Sequence, residues 1–150
     1  QSAIIQAVIG ACWPFVLLAR KKYLIPDKNI RVLLFAPEEE YHEIGLRMGM
    51  DFYTILGYQV DYIGCNLPKD TMLNALETLR PDIVTVSVTN YLNLAQLPAI
   101  IATVKAFSPS TRVYIAGSAL ARTGKCAFEF GADGAVTSFA SILENKESKQ

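Results

Sequence analysis

The chain has one histidine, His42, in 150 residues. It lies in the hexapeptide Glu40-Tyr41-His42-Glu43-Ile44-Gly45, which follows a short apolar run and precedes residues with helical spacing. That places the imidazole on a strand-to-helix loop, where it is free of the backbone ladder and can reach a metal or a proton. The simpler reading is a loop histidine hydrogen-bonded to Glu40 or Glu43.

Other polar and small residues recur at equivalent places. Ser87 and Thr89 lie at the end of the third apolar run, Gly117 and Ser118 after the fourth, and Thr137 and Ser138 after the fifth. In a parallel sheet these loops emerge on one side, so the groups converge at the carboxyl ends of the strands, where open sheets bind ligands. Each also has a structural reading. Ser87 and Thr89 can cap the next helix, and Gly117 can be a turn glycine. Glu38 and Glu39 read as a solvated acidic run. Cys65 and Cys126 read as small core hydrophobes, and Tyr41, Tyr53, Tyr58 and Tyr62 as packing and surface aromatics.

The elements that must position these residues alternate. Strands are expected at 31–36, 59–63, 82–88, 112–116 and 134–137. Helices are expected at 43–56, 69–79, 92–107, 119–130 and 138–146. The strands are continuous and β-branched, as strands buried on both faces are. Gly57, Pro81, Pro109 and Gly131 each end a helix before the next strand. Right-handed crossovers turn this pattern into an α/β, flavodoxin-like, doubly wound five-stranded parallel sheet.

Lys plus Arg and Asp plus Glu both number 14. The balance argues against nucleic acid held by bulk electrostatics, which needs a basic excess. Three scattered cysteines form no metal-binding pair and argue for a reducing, cytoplasmic setting. Hydrophobic residues make up 51% of the chain, ample for one core.

Residues 3–19 are nearly all apolar and are followed by Arg20-Lys21-Lys22. They read as a buried or interface helix, with a short membrane span as the alternative; Gln6 and Pro14 weaken the span. The linker is Leu24 to Asn29. The first residue is Gln rather than Met, so the expectation is a fragment, with a helical segment at 1–25 and one domain at 30–145.

Over residues 30–143 the loop motifs, taken in order, resemble the cobalamin-binding domain family, whose pattern is Asp-x-His-x-x-Gly, then a Ser-x-Leu or Ser-x-Thr motif, then Gly-Gly. The resemblance implies that His42 ligates cobalt from below. Glu40, where the family has Asp, accepts the other ring N–H. Gly45 lets the displaced nucleotide tail approach. Ser87 hydrogen-bonds the swung-out dimethylbenzimidazole, with Thr89 in the Leu position, and Gly117 leaves room for the tail. Ser118, in place of the second glycine, narrows that channel, and Thr137 belongs to the last loop of the same edge. These departures leave haem or another tetrapyrrole open as an alternative cofactor.

The form Glu-x-His-x-x-Gly and the preceding apolar helix resemble most the MerR-type, light- and B12-responsive regulators. That likeness implies adenosyl- or methylcobalamin, a helical cap upstream of which residues 1–25 are the last helix, a homo-oligomer, and no direct nucleic-acid contact by this fragment. Trp13 is weighed as an upper-face cap against plain core. A corrinoid carrier of a methyltransferase or mutase is the competing function. No second titratable group is placed as an acid or base, so turnover by this chain alone is not expected.

Overall fold

The computed structural model describes residues 26–147 continuously, together with 4, 10–11, 14–18 and 21–22. Most of the apolar segment, including Cys12 and Trp13, lies outside the described residues. Residues 14–18 are helical, with Phe15 and Leu18 exposed. No helix among the described residues is long and apolar enough to cross a membrane.

Five parallel strands form one sheet in the order β2-β1-β3-β4-β5. They are β1 (Arg31–Phe35), β2 (Gln59–Tyr62), β3 (Ile83–Ser87), β4 (Arg112–Ala116) and β5 (Gly134–Val136). The helices are α1 (Ile44–Ile55), α2 (Lys69–Leu79), α3 (Leu97–Phe107) and α4 (Phe139–Glu147). Central strands are buried on both faces: every residue of β3 is buried, which is why its sequence, Ile-Val-Thr-Val-Ser, shows no apolar alternation.

Two cores result. On one face Leu33, Phe35, Val84, Val86 and Ile115 pack with Met72 and Leu76 of α2 and Leu97, Ile101 and Val104 of α3. On the other, Val32, Leu34, Ile83 and Tyr114 pack with Leu46 and Tyr53 of α1 and Ile142 of α4. The site described below opens on the second face.

The strand order reverses between β1 and β3, so their following loops diverge and leave a crevice at the carboxyl ends. Lower down the sheet, Arg31 fastens β1 to its neighbours. Its Nε donates to Asp61 at 2.6 Å, and its backbone N–H donates to Asp82 at 2.7 Å.

Three expectations need correction. The expected helix at 119–130 is instead two 3-10 turns, Leu120–Arg122 and Ala127–Phe130, separated by Gly124 at φ +69°. Local side chains take the backbone groups that a continuous helix would use: Thr123 Oγ1 donates to Leu120 C=O and accepts from Lys125 N–H, and Cys126 N–H donates to Glu129. The helix expected at 92–107 opens as a 3-10 turn, Tyr91–Gln96, and becomes α-helical only at Leu97, with Pro98 in its first turn. Cys65 packs against the core, but Cys126 is exposed and is not a core residue.

Candidate functional site

The loop after β1 is built around a buried carboxylate. Glu40 has no solvent exposure at all, although it ends the acidic run Glu38-Glu39-Glu40, whose first two members are exposed. Its two oxygens face in different directions. Oε1 lies 2.5 Å from Nδ1 of His42. Oε2 accepts from the backbone N–H groups of Thr89 at 2.9 Å and Asn90 at 2.8 Å, and from the Asn93 amide at 3.2 Å. One side chain thus ties the β1 loop to the β3 loop across the point where strand order reverses.

Burial by itself would raise the Glu40 pKa. The Asn90 N–H, the His42 ring, the Thr89 N–H and the Asn93 amide outweigh it and hold the carboxyl below its ordinary value. Glu40 is therefore a carboxylate near neutral pH, and Nδ1 of the ring is the donor towards it. In the neutral ring held this way, the lone pair sits on Nε2. The His42 side chain is 62% exposed, so that nitrogen is presented outward.

The neighbouring residues hold the loop. Asn93 also donates to Glu39 C=O at 3.1 Å, and Gln96 donates to Glu38 C=O at 3.1 Å. Asn90 caps the following turn by accepting from Leu92 N–H, the role that sequence reasoning gave to Ser87 or Thr89. On the helix side, Glu43 accepts from Tyr62 Oη at 2.7 Å and Arg47 Nε at 2.8 Å. Both bonds fall on Glu43 Oε1.

A cleft of about 360 Å³ runs from this edge between α1 and the sheet. Gly45, Ser87, Thr89, Gly117, Ser118 and Thr137 all line it, so six of the eight residues singled out from sequence converge there. Thr89 joins the cleft to the Glu40 carboxylate. A larger hollow, about 660 Å³, lies at the opposite end of the strands, among Arg80, Asp82, Thr111 and Arg112; none of the residues singled out from sequence is there.

The two glycines of the cleft differ in what they are for. A Cβ on Gly45 would meet nothing within 4 Å, so that position keeps open space. Gly117 has φ +91°, and a Cβ there would lie 2.2 Å from the Val88 carbonyl oxygen. Its need for glycine is met by the protein's own backbone, since Val88 N–H donates to Ala116 C=O beside it. Ser118 is exposed. The Ser138 hydroxyl accepts from Ser141 N–H, and Ser141 Oγ accepts from the N–H groups of Thr137 and Ser138, which fixes the last loop at the start of α4.

Ser87 is 3% exposed and lines the cleft. Sequence reasoning missed Asn93, Tyr53 and Thr85 as parts of this edge. Tyr53 and Thr85 line the cleft with their hydroxyls 3.0 Å apart, and burial pushes the Tyr53 phenol up to about 12.

The parts suit a planar, metal-centred group bearing a side arm. They are an outward imidazole nitrogen oriented by a buried carboxylate and, next to it, a mainly apolar slot. Among the described residues no cluster of three or more His, Cys, Asp or Glu could hold a bare metal ion.

The family model described as B12 binding domain matches residues 30–141. None of the curated proteins compared with the chain matches it. Among solved structures, a cobalamin-binding protein from Desulfitobacterium hafniense DCB-2 is 22% identical, with a TM-score of 0.65 over 78% of this chain and 57% of that one. The monomethylamine corrinoid protein of Methanosarcina barkeri is 15% identical, with a TM-score of 0.72 over 93% of this chain and 66% of that one. The methanol:cobalamin methyltransferase complex from the same organism is 15% identical, with a TM-score of 0.64 over 81% and 47%. At these identities the likeness is one of fold, and the chain spans less than two thirds of each of those proteins.

Proposed function

Because this chain belongs to the B12-binding domain family, we propose that it is a sensory module that holds cobalamin with the nucleotide base displaced from cobalt and His42 Nε2 in its place. The observation that carries the reading is the Glu40 carboxylate, buried and saturated by donors from the β3 loop, with its one remaining strong contact on His42 Nδ1. That contact selects the tautomer a metal needs and aims the ring.

The cleft beside it receives the displaced tail. Gly45 leaves space at its entrance, and the Ser87 hydroxyl is available for a hydrogen bond to the tail. Bound cobalamin supplies a cobalt whose upper axial ligand is sensitive to light or to exchange. The protein's part is to fix the lower axis and to carry the upper face into contact with a partner segment. The described helical turn at 14–18, with Phe15, Leu17 and Leu18 exposed, supplies part of such a covering bundle. A change at the upper face shifts the population of covered and uncovered states, provided that the cap binds the two forms unequally.

The second reading is a corrinoid carrier in methyl transfer. It is favoured by the names of two structural neighbours, a corrinoid protein and a cobalamin methyltransferase complex. Glu40 in place of Asp and Ser118 in place of glycine favour the sensor.

Titration with adenosyl- and methylcobalamin in the dark, followed by absorbance, tests both. The expected result is stoichiometric binding with the spectrum of a displaced base, lost in His42→Ala. Illumination then separates the two: a sensor changes oligomeric state or lower ligand, and a carrier does not. Colourless protein after incubation with either corrinoid contradicts both readings, and a Soret band on adding haem replaces them with a haem protein.

A further inference from the structure

Between β1 and His42 the backbone makes a tight turn that its sequence does not favour. Glu40 N–H donates to Pro37 C=O at 3.1 Å, which closes a turn over Pro37-Glu38-Glu39-Glu40. The third residue of that turn, Glu39, stands at φ +65°. Turns with positive φ at that position take glycine or asparagine, because a Cβ there crowds the following carbonyl. Glutamate has neither glycine's freedom nor asparagine's short polar side chain, so neighbours must hold the conformation.

Asn66, in the loop after β2, is one such neighbour. Its side-chain Oδ1 accepts from Glu39 N–H at 2.9 Å. Its own backbone N–H donates to Glu40 C=O at 2.8 Å. One residue thus brackets Glu39 and Glu40 from both ends. Asn66 is itself at φ +52°, a conformation that asparagine tolerates. Its loop is tied to the end of β1, where Ala36 N–H donates to Gly64 C=O at 3.0 Å and Leu67 N–H to Ala36 C=O at 3.1 Å. From the other side the Asn93 amide donates to Glu39 C=O and to Glu40 Oε2. The β2 loop therefore sets the Glu40 backbone, and the β3 loop sets its carboxylate. Several rotatable bonds separate the two, so the reach of Oε1 to His42 Nδ1 depends on where the backbone is placed.

We propose that Asn66 is a positioning residue for the His42 ring. It holds Glu39 in the left-handed turn, the turn places Glu40, and Glu40 keeps the ring hydrogen on Nδ1. Nε2 is left as the outward acceptor. Asn66 touches neither the ring nor a ligand and acts through Glu40 alone. The consequence for corrinoid binding rests on the reading of His42 as the axial ligand.

The test compares Asn66→Gly with Asn66→Asp. Glycine takes positive φ without strain and removes the acceptor; aspartate keeps the acceptor and tolerates the backbone. Two-bond ¹H–¹⁵N spectra of ligand-free protein made with ¹⁵N-histidine report the tautomer of the single histidine. Wild-type protein is expected to show hydrogen on Nδ1, Asn66→Gly a mixture of tautomers, and Asn66→Asp the wild-type pattern again. Dark titration with methylcobalamin is expected to show about tenfold weaker binding by Asn66→Gly, the lower end of what outer partners of a metal-bound histidine contribute, with recovery in Asn66→Asp. A merely structural role would lower the melting temperature of the ligand-free protein and leave the tautomer alone. An unchanged tautomer in Asn66→Gly overturns the inference, as does a change that Asn66→Asp does not reverse; wild-type binding of methylcobalamin then leaves the cobalamin reading standing. A tautomer change of the expected kind in a protein that binds no methylcobalamin supports the clamp and contradicts the cobalamin reading.

Discussion

Glu40 and His42 are 2.5 Å apart, the carboxylate wholly buried and the imidazole 62% exposed. The pair therefore has an inner end anchored by the β3 loop and an outer end free to meet a ligand. A buried carboxylate with five hydrogen-bond donors cannot easily move, and the ring it holds inherits its position.

Glu40→Gln tests the anchor. The amide nitrogen would have to face either the N–H groups of Thr89 and Asn90 or the His42 ring, and in each case a buried donor is left without an acceptor. Unfolding in urea is expected to show a loss of about 1–3 kcal/mol. Cobalamin affinity is expected to fall at the same time, because Nδ1 of His42 loses its charged acceptor.

The same carboxylate gives a pH dependence. Its pKa in the folded protein is below the ordinary 4.5, so its stabilising effect is fully present above 4.5. It is lost as pH falls through the lower, folded value. Denaturant midpoints of wild-type protein and Glu40→Gln are expected to differ at pH 7 and to converge below 4.5. A gap unchanged down to pH 3 would contradict the assignment.

Asn93 is 4% exposed, and its amide bridges Glu39 C=O and Glu40 Oε2. Asn93→Ala removes a hydrogen bond to a buried charge and is expected to cost about 2 kcal/mol. Weaker cobalamin binding is expected as well, whereas Gln96→Ala, whose bond to Glu38 C=O lies at an exposed position, is expected to leave binding within about twofold.

Gly117→Ala separates a structural glycine from a ligand-clearance glycine. Its φ of +91° and the 2.2 Å approach to the Val88 oxygen predict a loss of about 2–4 kcal/mol in the protein without any ligand. Gly45→Ala, with nothing within 4 Å, is expected to leave that stability unchanged or improved and to weaken corrinoid binding. Thermal melts with and without cobalamin check both.

Much of the fold was legible because buried parallel strands have a plain signature. Val32 to Phe35 and Ile83 to Val86 are runs that no exposed element carries, and the turns that close their helices fall at Gly57 and Gly131, both at positive φ. The segment 119–130 misled because its apolar spacing fits a helix, while Thr123, Gly124 and Cys126 give the backbone nearer partners. At the site, the loop positions of His42, Ser87 and Gly117 followed from strand ends alone. The donors on Glu40 could not be read that way. Thr89 and Asn90 are 49 and 50 residues distant in sequence, and only the adjacency of β1 and β3 brings them there. Tyr53 and Thr85 were hidden for the same reason: an α1 phenol meets a β3 hydroxyl across a packed layer, and each looks like core when read singly.

Electron paramagnetic resonance of the bound Co(II) corrinoid tests the central claim most directly, because the chain has a single histidine. Protein made with ¹⁵N-histidine is loaded with unlabelled cobalamin and compared with unlabelled protein. If His42 is the axial ligand, each cobalt line is split into a triplet by ¹⁴N in the unlabelled sample and into a doublet by ¹⁵N in the labelled one. A triplet that survives labelling would mean that the nitrogen on cobalt belongs to the corrinoid's own base, and His42 would not be its ligand.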